Sequence, residues 1–241
     1  MRLLVTRPEP DATTLKTRLV ENGHTVTIEP LITITHDGAE TPEFDGAQAL
    51  IATSRNGLRA IATLPEIDAA KELPLFVVGP GTAATAQALG FRQIIKGPAT
   101  ARDLVPVIQE YAEVNSGPLV HLAGDVLVYD FASDLVRLGF FVTAPIVYTT
   151  VVADRFASPT VASLRNGRFD GVLLLSPRTA DVYVALVRQH NLSEAARKVH
   201  YFCLSAAIKS RLASLGDGLK IDVASAPNLQ QLLALIPAPA A

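Results

Sequence analysis

Six short stretches of this 241-residue chain place small, hydroxylated or basic residues where an apolar run ends. They are Thr6-Arg7, Thr53-Ser54-Arg55-Asn56, Gly79-Pro80-Gly81-Thr82, Ala123-Gly124, Ser176-Pro177-Arg178-Thr179 and Ser205. Asp125 is the one carboxylate beside them. In open parallel α/β sheets, ligands sit at the carboxyl ends of strands, where helix N-termini offer free N–H groups and a partial positive charge. Such a composition suits a ligand carrying several carboxylates or phosphates. Ser and Thr also favour these positions as helix caps, so the argument rests on the set, and above all on the three arginines Arg7, Arg55 and Arg178. Tyr148 is the further candidate. It lies in an extended stretch, where a tyrosine commonly packs its ring and leaves its hydroxyl wet, and where a phenol can also hydrogen-bond a departing oxygen.

Other chemistries find little support. Gly79-Pro80-Gly81-Thr82-Ala83-Ala84 has the G-x-G-x-x-A spacing of a dinucleotide turn, but the end of the next strand holds Lys96 where a ribose-binding acid is expected. The five histidines are scattered, with no i, i+4 pair and no HExxH, so no metal site is expected. Cys203 sits in an apolar run and reads as a small buried hydrophobe. There is neither a G-x-S-x-G elbow nor a P-loop. Without paired catalytic carboxylates, an enzymatic reaction here needs holding and orienting more than strong acid–base machinery.

The elements that position these residues alternate strand and helix. Arg2–Thr6, a helix with Ala12, Leu15 and Leu19 on one face, and His24–Ile28 make a β–α–β start closed by Gly23. Strands follow at Ala49–Thr53, Leu75–Val78, Phe91–Ile95 and Pro118–Leu122, each leading into a helix. Asp103 is expected to cap one of these helices, with Pro106 in its first turn. The helix with Phe131, Leu135 and Leu138 ends at Gly139. Later strands are Gly171–Leu175, Tyr201–Leu204 and Leu219–Val223; Ser205 and Asn228 are placed to cap the helices that follow the last two. The tail from Pro237 is expected to fray.

This pattern predicts parallel α/β sheets. Two proline-bearing extended segments, Ile28–Thr35 and Phe140–Val152, stand out as crossings between two similar lobes. The expected outer lobe comprises 1–34 and 151–241, the inserted lobe 35–150, and the crossings, near 29–35 and 142–150, form a two-stranded hinge carrying Tyr148. The net charge of −2 gives no general attraction for nucleic acid or an anionic membrane. No apolar run nears the roughly 20 residues of a membrane span, the opening apolar run is too short for a signal peptide, and a single cysteine precludes an internal disulfide. The expected location is the cytoplasm.

The chain resembles the uroporphyrinogen-III synthase family. The likeness is carried by Leu4-Val5-Thr6-Arg7-Pro8, Pro30-Leu31, Ala52-Thr53-Ser54-Arg55-Asn56, Val77-Val78-Gly79-Pro80-Gly81-Thr82-Ala83, Val147-Tyr148-Thr149-Thr150 and Leu175-Ser176-Pro177-Arg178. It runs over nearly the whole length, and order and spacing make it specific. The resemblance implies two α/β lobes on a two-stranded linker. It implies action without metal or organic cofactor on hydroxymethylbilane, a linear tetrapyrrole polycarboxylate; a monomer is expected. The terminal hydroxyl leaves as water, and ring closure through a spiro intermediate inverts the last pyrrole ring to give uroporphyrinogen III. Tyr148 matches the family tyrosine that assists hydroxyl departure. The other candidates, Thr6, Arg7, Ser54, Arg55, Asn56, Gly79, Gly81, Thr82, Gly124, Ser176, Arg178, Thr179 and Ser205, would hold substrate. Many relatives carry threonines in the last strand–helix turn, where Ser205 is followed here by Ala206, Ala207 and Ile208. A two-lobed cytoplasmic sensor of small molecules and a Rossmann-type oxidoreductase are the competing readings.

Overall fold

The computed structural model describes residues 1–98, 100–127 and 129–238; the side chain of Phe131, expected on an apolar helix face, and residues 239–241 of the tail lie outside it. In chain order the elements are β1 (Arg2–Val5), α1 (Asp11–Glu21), β2 (Thr25–Ile28), β3 (Ile32–Thr35), β4 (Ala49–Ala52), α2 (Arg55–Ile61), α3 (Ile67–Glu72), β5 (Leu75–Val78), α4 (Gly79–Leu89), β6 (Ile94–Gly97), α5 (Ala101–Tyr111), β7 (Leu119–His121), β8 (Ala123–Gly124), α6 (Phe131–Arg137), β9 (Val142–Thr143) and β10 (Ile146–Val152). They continue as α7 (Ser158–Arg165), β11 (Gly171–Leu174), α8 (Pro177–Gln189), α9 (Ser193–Arg197), β12 (His200–Cys203), α10 (Ala206–Leu212), β13 (Lys220–Val223) and α11 (Leu229–Leu233).

Two compact units emerge. One joins Met1–Thr33 to Val151–Ala241; the other is Ile34–Thr150. Among the described residues, each holds a five-stranded sheet, ordered β13-β12-β11-β1-β2 in the first and β6-β5-β4-β7-β9 in the second. Every recorded pairing within both is parallel. Counted from β11 and from β4, both sheets have the order 3-2-1-4-5. The first unit is therefore a circularly permuted version of the second. In this order the winding reverses between strands 1 and 4, which opens a crevice beyond their carboxyl ends.

The pattern behind these sheets is plain in β11 and β4, all of whose residues are buried. Alternate side chains serve opposite faces. Val172 and Leu174 join Leu4 and Tyr183 in one cluster, while Leu173 joins Leu3, Val5 and Leu15 in another. In the second unit, Leu50 and Ala52 pack with Leu58 and Val77, and Ala49 and Ile51 pack with Phe76 and Leu104. Each fully buried leucine contributes about 1.5–3 kcal/mol.

A third sheet, β3-β10-β8, contains both places where the chain passes between units. Here each of the two proline-bearing extended segments divides into two strands. Phe140–Val152 splits at Ala144-Pro145: β9 is the edge of the second unit's sheet, and β10 pairs with β8 instead. Proline has no N–H for a ladder; the Pro145 carbonyl accepts from Ala123 N at 3.1 Å. Ile28–Thr35 likewise breaks at Glu29-Pro30-Leu31 into β2 and β3.

Other boundaries also move. The strand expected from Phe91 begins at Ile94, because Phe91 N–H donates back to Ala86 O at 3.1 Å and closes α4. Thr100, not Asp103, is the N-cap of α5. Its hydroxyl accepts from Asp103 N while the Asp103 carboxylate accepts from Thr100 N, making a capping box. Pro106 consequently falls beyond the first turn, inside the helix, and the Arg102 carbonyl loses its intrahelical donor. Asn228 caps α11 through Gln231 N, whereas Ser205 occupies the cap position of α10 without a side-chain cap bond. The short helices α3 and α9 escape a periodicity reading because neither completes two turns.

Candidate active site

In the second unit, strands 1 and 4 of the winding are β4 and β7. Thr53 and Ser54 follow β4; Leu122, Ala123 and Gly124 follow β7. Ser54 has extended backbone, and its hydroxyl accepts from Asn56 N, which starts α2 directly at the crevice. Gly57 lets that helix approach the neighbouring strand: a Cβ there would stand 2.7 Å from the Leu122 carbonyl oxygen. The neighbouring α4 starts at Gly79, whose φ of +77° strongly favours glycine. At Gly81 a Cβ would lie 3.6 Å from Cδ and Nε of Arg55, so the structure brings the Ser-Arg turn beside the glycine turn. Thr82 is buried in the first turn of α4.

Tyr148 enters from β10, which pairs with β8 in register Tyr148↔Gly124. Its ring crosses Gly124 so closely that a Cβ there would stand 2.4 Å from Cζ and 2.6 Å from the hydroxyl oxygen. Only a residue without a side chain accommodates this. The next residue holds the strand in place: Asp125 N donates to the Tyr148 carbonyl at 3.2 Å, and the Thr150 hydroxyl donates to the Asp125 carboxylate at 3.0 Å. Beneath lies His121, fully buried, with Nε2 3.4 Å from the Thr53 hydroxyl. Burial pushes its imidazole down to about 4, so it is neutral at physiological pH.

These residues border a cavity of about 750 Å³ contained within the second unit. Thr53, Ser54, Gly124 and Tyr148 line it together with Thr100, Arg102 and Tyr129. Arg102 is the one charged residue among its described lining. Arg102 Cζ lies 4.8 Å from the Tyr129 ring centroid. Tyr129 is itself anchored through a hydrogen bond from its hydroxyl to Asp134.

The corresponding positions of the first unit have their own protein partners. Thr6, expected to face substrate, is fully buried and donates its hydroxyl to Leu173 O at 2.8 Å, tying β1 to β11. In this arrangement the hydroxyl serves the sheet. Arg7 pairs with Asp11 at 2.7 Å, both side chains 15% exposed. Ser176 caps α8 by accepting from Thr179 N, and its hydroxyl lies 2.7 Å from the hydroxyl of the buried Thr179. Arg178 and Ser205 are half-buried.

Sequence reasoning missed Thr100, Arg102 and Tyr129. Thr100 and Asp103 form a T-x-x-D pair ahead of an apolar face, a capping signal that would have placed Arg102 in the first turn at a strand exit. Nothing local marks Tyr129. Cys203 is fully buried and its thiol is pushed up to about 12 by that burial, which leaves it inert. Among the described residues no three of His, Cys, Asp and Glu stand together as a metal-binding group, and no helix is long and apolar enough to cross a membrane.

The same fold recurs in solved structures. A uroporphyrinogen-III synthetase from Helicobacter pylori superposes with a TM-score of 0.64 at 15% identity, over 98% of both chains. A mutant uroporphyrinogen III synthase from Thermus thermophilus gives 0.58 at 14%, over 97% of this chain and 96% of the other. No curated protein sequence matches. At such identities the structural likeness speaks for the fold. The family itself is shown by sequence, since the model of uroporphyrinogen-III synthase HemD matches residues 13–234, nearly the whole chain. The chain belongs to the uroporphyrinogen-III synthase family.

Proposed function

We propose that the chain closes hydroxymethylbilane to uroporphyrinogen III, and that Tyr148 assists the departing hydroxyl. The observation that carries the site assignment is the 750 Å³ cavity at the strand-order reversal of β4 and β7, into which Tyr148 is set by Gly124. The phenol donates a hydrogen bond to the hydroxyl that leaves as water. Its role is auxiliary, because most of the rate comes from folding the linear tetrapyrrole so that its ends meet. The remaining carbon–carbon closure and ring inversion then need orientation and exclusion of water, not a strong base.

The carboxylate arms fall to groups suited to anions. Ser54, Arg55 and Asn56, with the opening N–H groups of α4 at Gly81 and Thr82, serve this role in the second unit; Gly79 supplies the turn that exposes them. In the first unit Arg7, Ser176, Arg178 and Ser205 serve it, with Thr179 holding the Ser176 hydroxyl. The lobes of this enzyme are 1–34 with 151–241 and 35–150, one residue from the bounds of the compact units, and the chain acts as a cytoplasmic monomer.

The test is the product. Incubated with enzymatically generated hydroxymethylbilane, the protein yields isomer III in place of the spontaneous isomer I. Folded protein that leaves only isomer I overturns the reading.

A further inference from the structure

We infer that Arg102, braced by Tyr129, is a carboxylate-binding residue that fixes one acidic arm of the substrate in the second unit's cavity. The inference rests on the proposed activity and adds a residue that neither motif nor strand-exit reasoning singled out. It begins with charge. The cavity is lined by hydroxyls and apolar groups, and Arg102 is the one cation among its described lining residues. A polycarboxylate entering such a site meets this guanidinium as its principal charged partner.

The surrounding acids are committed elsewhere. The Asp103 carboxylate accepts from Thr100 N at 2.8 Å and from the Thr100 hydroxyl at 2.7 Å, which consumes it in the helix cap. Those same bonds hold Asp103 well below the ordinary carboxylate range, so it stays ionised and capped. Asp134 takes the Tyr129 hydroxyl and the Arg137 guanidinium, the latter at 2.7 Å. Both acids thus spend their hydrogen bonds on groups other than the Arg102 guanidinium.

Geometry supplies the rest. With Cζ 4.8 Å from the Tyr129 centroid, the guanidinium is stacked on a ring whose own hydroxyl is anchored. Stacking restricts the long side chain before ligand arrives and leaves its N–H edge for a planar carboxylate, which arginine binds bidentately. Lysine would keep the charge but lose both stack and fork. Arg102 therefore selects an arm, while Tyr148 acts on the leaving group at the same cavity.

Steady-state kinetics with hydroxymethylbilane and chromatographic identification of the product isomer test this. Arg102→Gln is expected to raise KM about tenfold, or 1.4 kcal/mol, with kcat within twofold and isomer III retained. Arg102→Lys is expected to recover only part of that loss. Tyr129→Leu, which keeps the cation and removes its brace, is expected to raise KM about threefold. Added salt should raise KM of the wild type more steeply than that of Arg102→Gln. Arg92→Gln removes an equal charge from an exposed pair with Glu72 and should leave KM unchanged. Wild-type protein that makes isomer III, combined with an Arg102→Gln KM within twofold of it, overturns the inference alone; so does full recovery in Arg102→Lys. Wild-type protein that makes only isomer I overturns the activity and this inference with it. An Arg102→Gln protein that fails to fold passes the decision to Tyr129→Leu and Arg102→Lys, whose unchanged KM values would refute the assignment equally.

Discussion

The two units share one strand order, yet their crevices differ in how polar groups are used. In the first unit the hydroxyl of Thr6 is bonded to Leu173 O, Arg7 to Asp11, and Ser176 to Thr179. The first ties β1 to β11, while the other two are local to the starts of α1 and α8. In the second unit the equivalent strands run through a continuous segment, and the crevice borders a cavity with Tyr148, Thr53 and Arg102 on its wall. The lesson is that one topology supplies the crevice twice, while the local partners of its polar groups differ between the two copies. Arg7 and Arg102 make the contrast sharpest: one is paired with a carboxylate four residues on, and the other rests on an aromatic face.

The comparison can be broken at several points. The largest effect is expected for Gly124→Val. Its side chain must displace the Tyr148 ring, so turnover should fall about a hundredfold while circular dichroism stays native; turnover near wild type would show that the ring's seat does not matter. Tyr148→Phe keeps the ring and removes only the hydroxyl, so about a tenfold fall in kcat, at 1.4 kcal/mol, is expected with KM little changed. Equal kcat in Tyr148→Phe and wild type would remove the phenol from the chemistry.

His121 makes the second unit sensitive to acid. Its folded-state value of about 4 lies below the ordinary 6.5, so the folded chain prefers the neutral ring. The stabilisation is complete above about pH 6.5 and is lost as pH falls toward 4, at up to about 1.4 kcal/mol per pH unit. Urea unfolding of wild type and His121→Asn between pH 7 and 4.5 should show the steeper decline in wild type. Parallel curves would rule the imidazole out as the cause. The smallest effect is expected for Thr6→Val, which removes the buried bond to Leu173 O. A stability loss of about 1 kcal/mol, with turnover within twofold, is the signature of a fold-holding hydroxyl. A large loss of turnover in a stable Thr6→Val protein would return Thr6 to the substrate site.

Much of the fold was written in local pattern. Continuous apolar runs such as Gly171–Leu174 mark strands buried on both faces, and glycines such as Gly90, with φ of +88°, mark helix ends. Ser54-Arg55 and Ser176-Pro177-Arg178 were both legible as Ser-and-Arg turns at strand exits, and both follow strand 1 of their sheets. Two kinds of feature escaped. Thr100 lost to Asp103 because both residue types cap helices, and only the hydrogen bonds distinguish cap from third residue. The split of Phe140–Val152 escaped because one run of strand-forming residues can serve two sheets, and pairing partners choose where it divides.

Sequence by itself settled most element types, the parallel class, the family, and Tyr148 as a candidate, because apolar period and turn chemistry act over a few residues and motif order runs along the chain. The tertiary structure alone decided which polar groups meet. Thr53, Arg102, Gly124, Tyr129 and Tyr148 come to one cavity through strand order and register, and neither can be read from the spacing of residues that lie so far apart in the chain. It also decided that Thr6 is consumed in the core, since burial and a single carbonyl within 2.8 Å outweigh what its residue type allows.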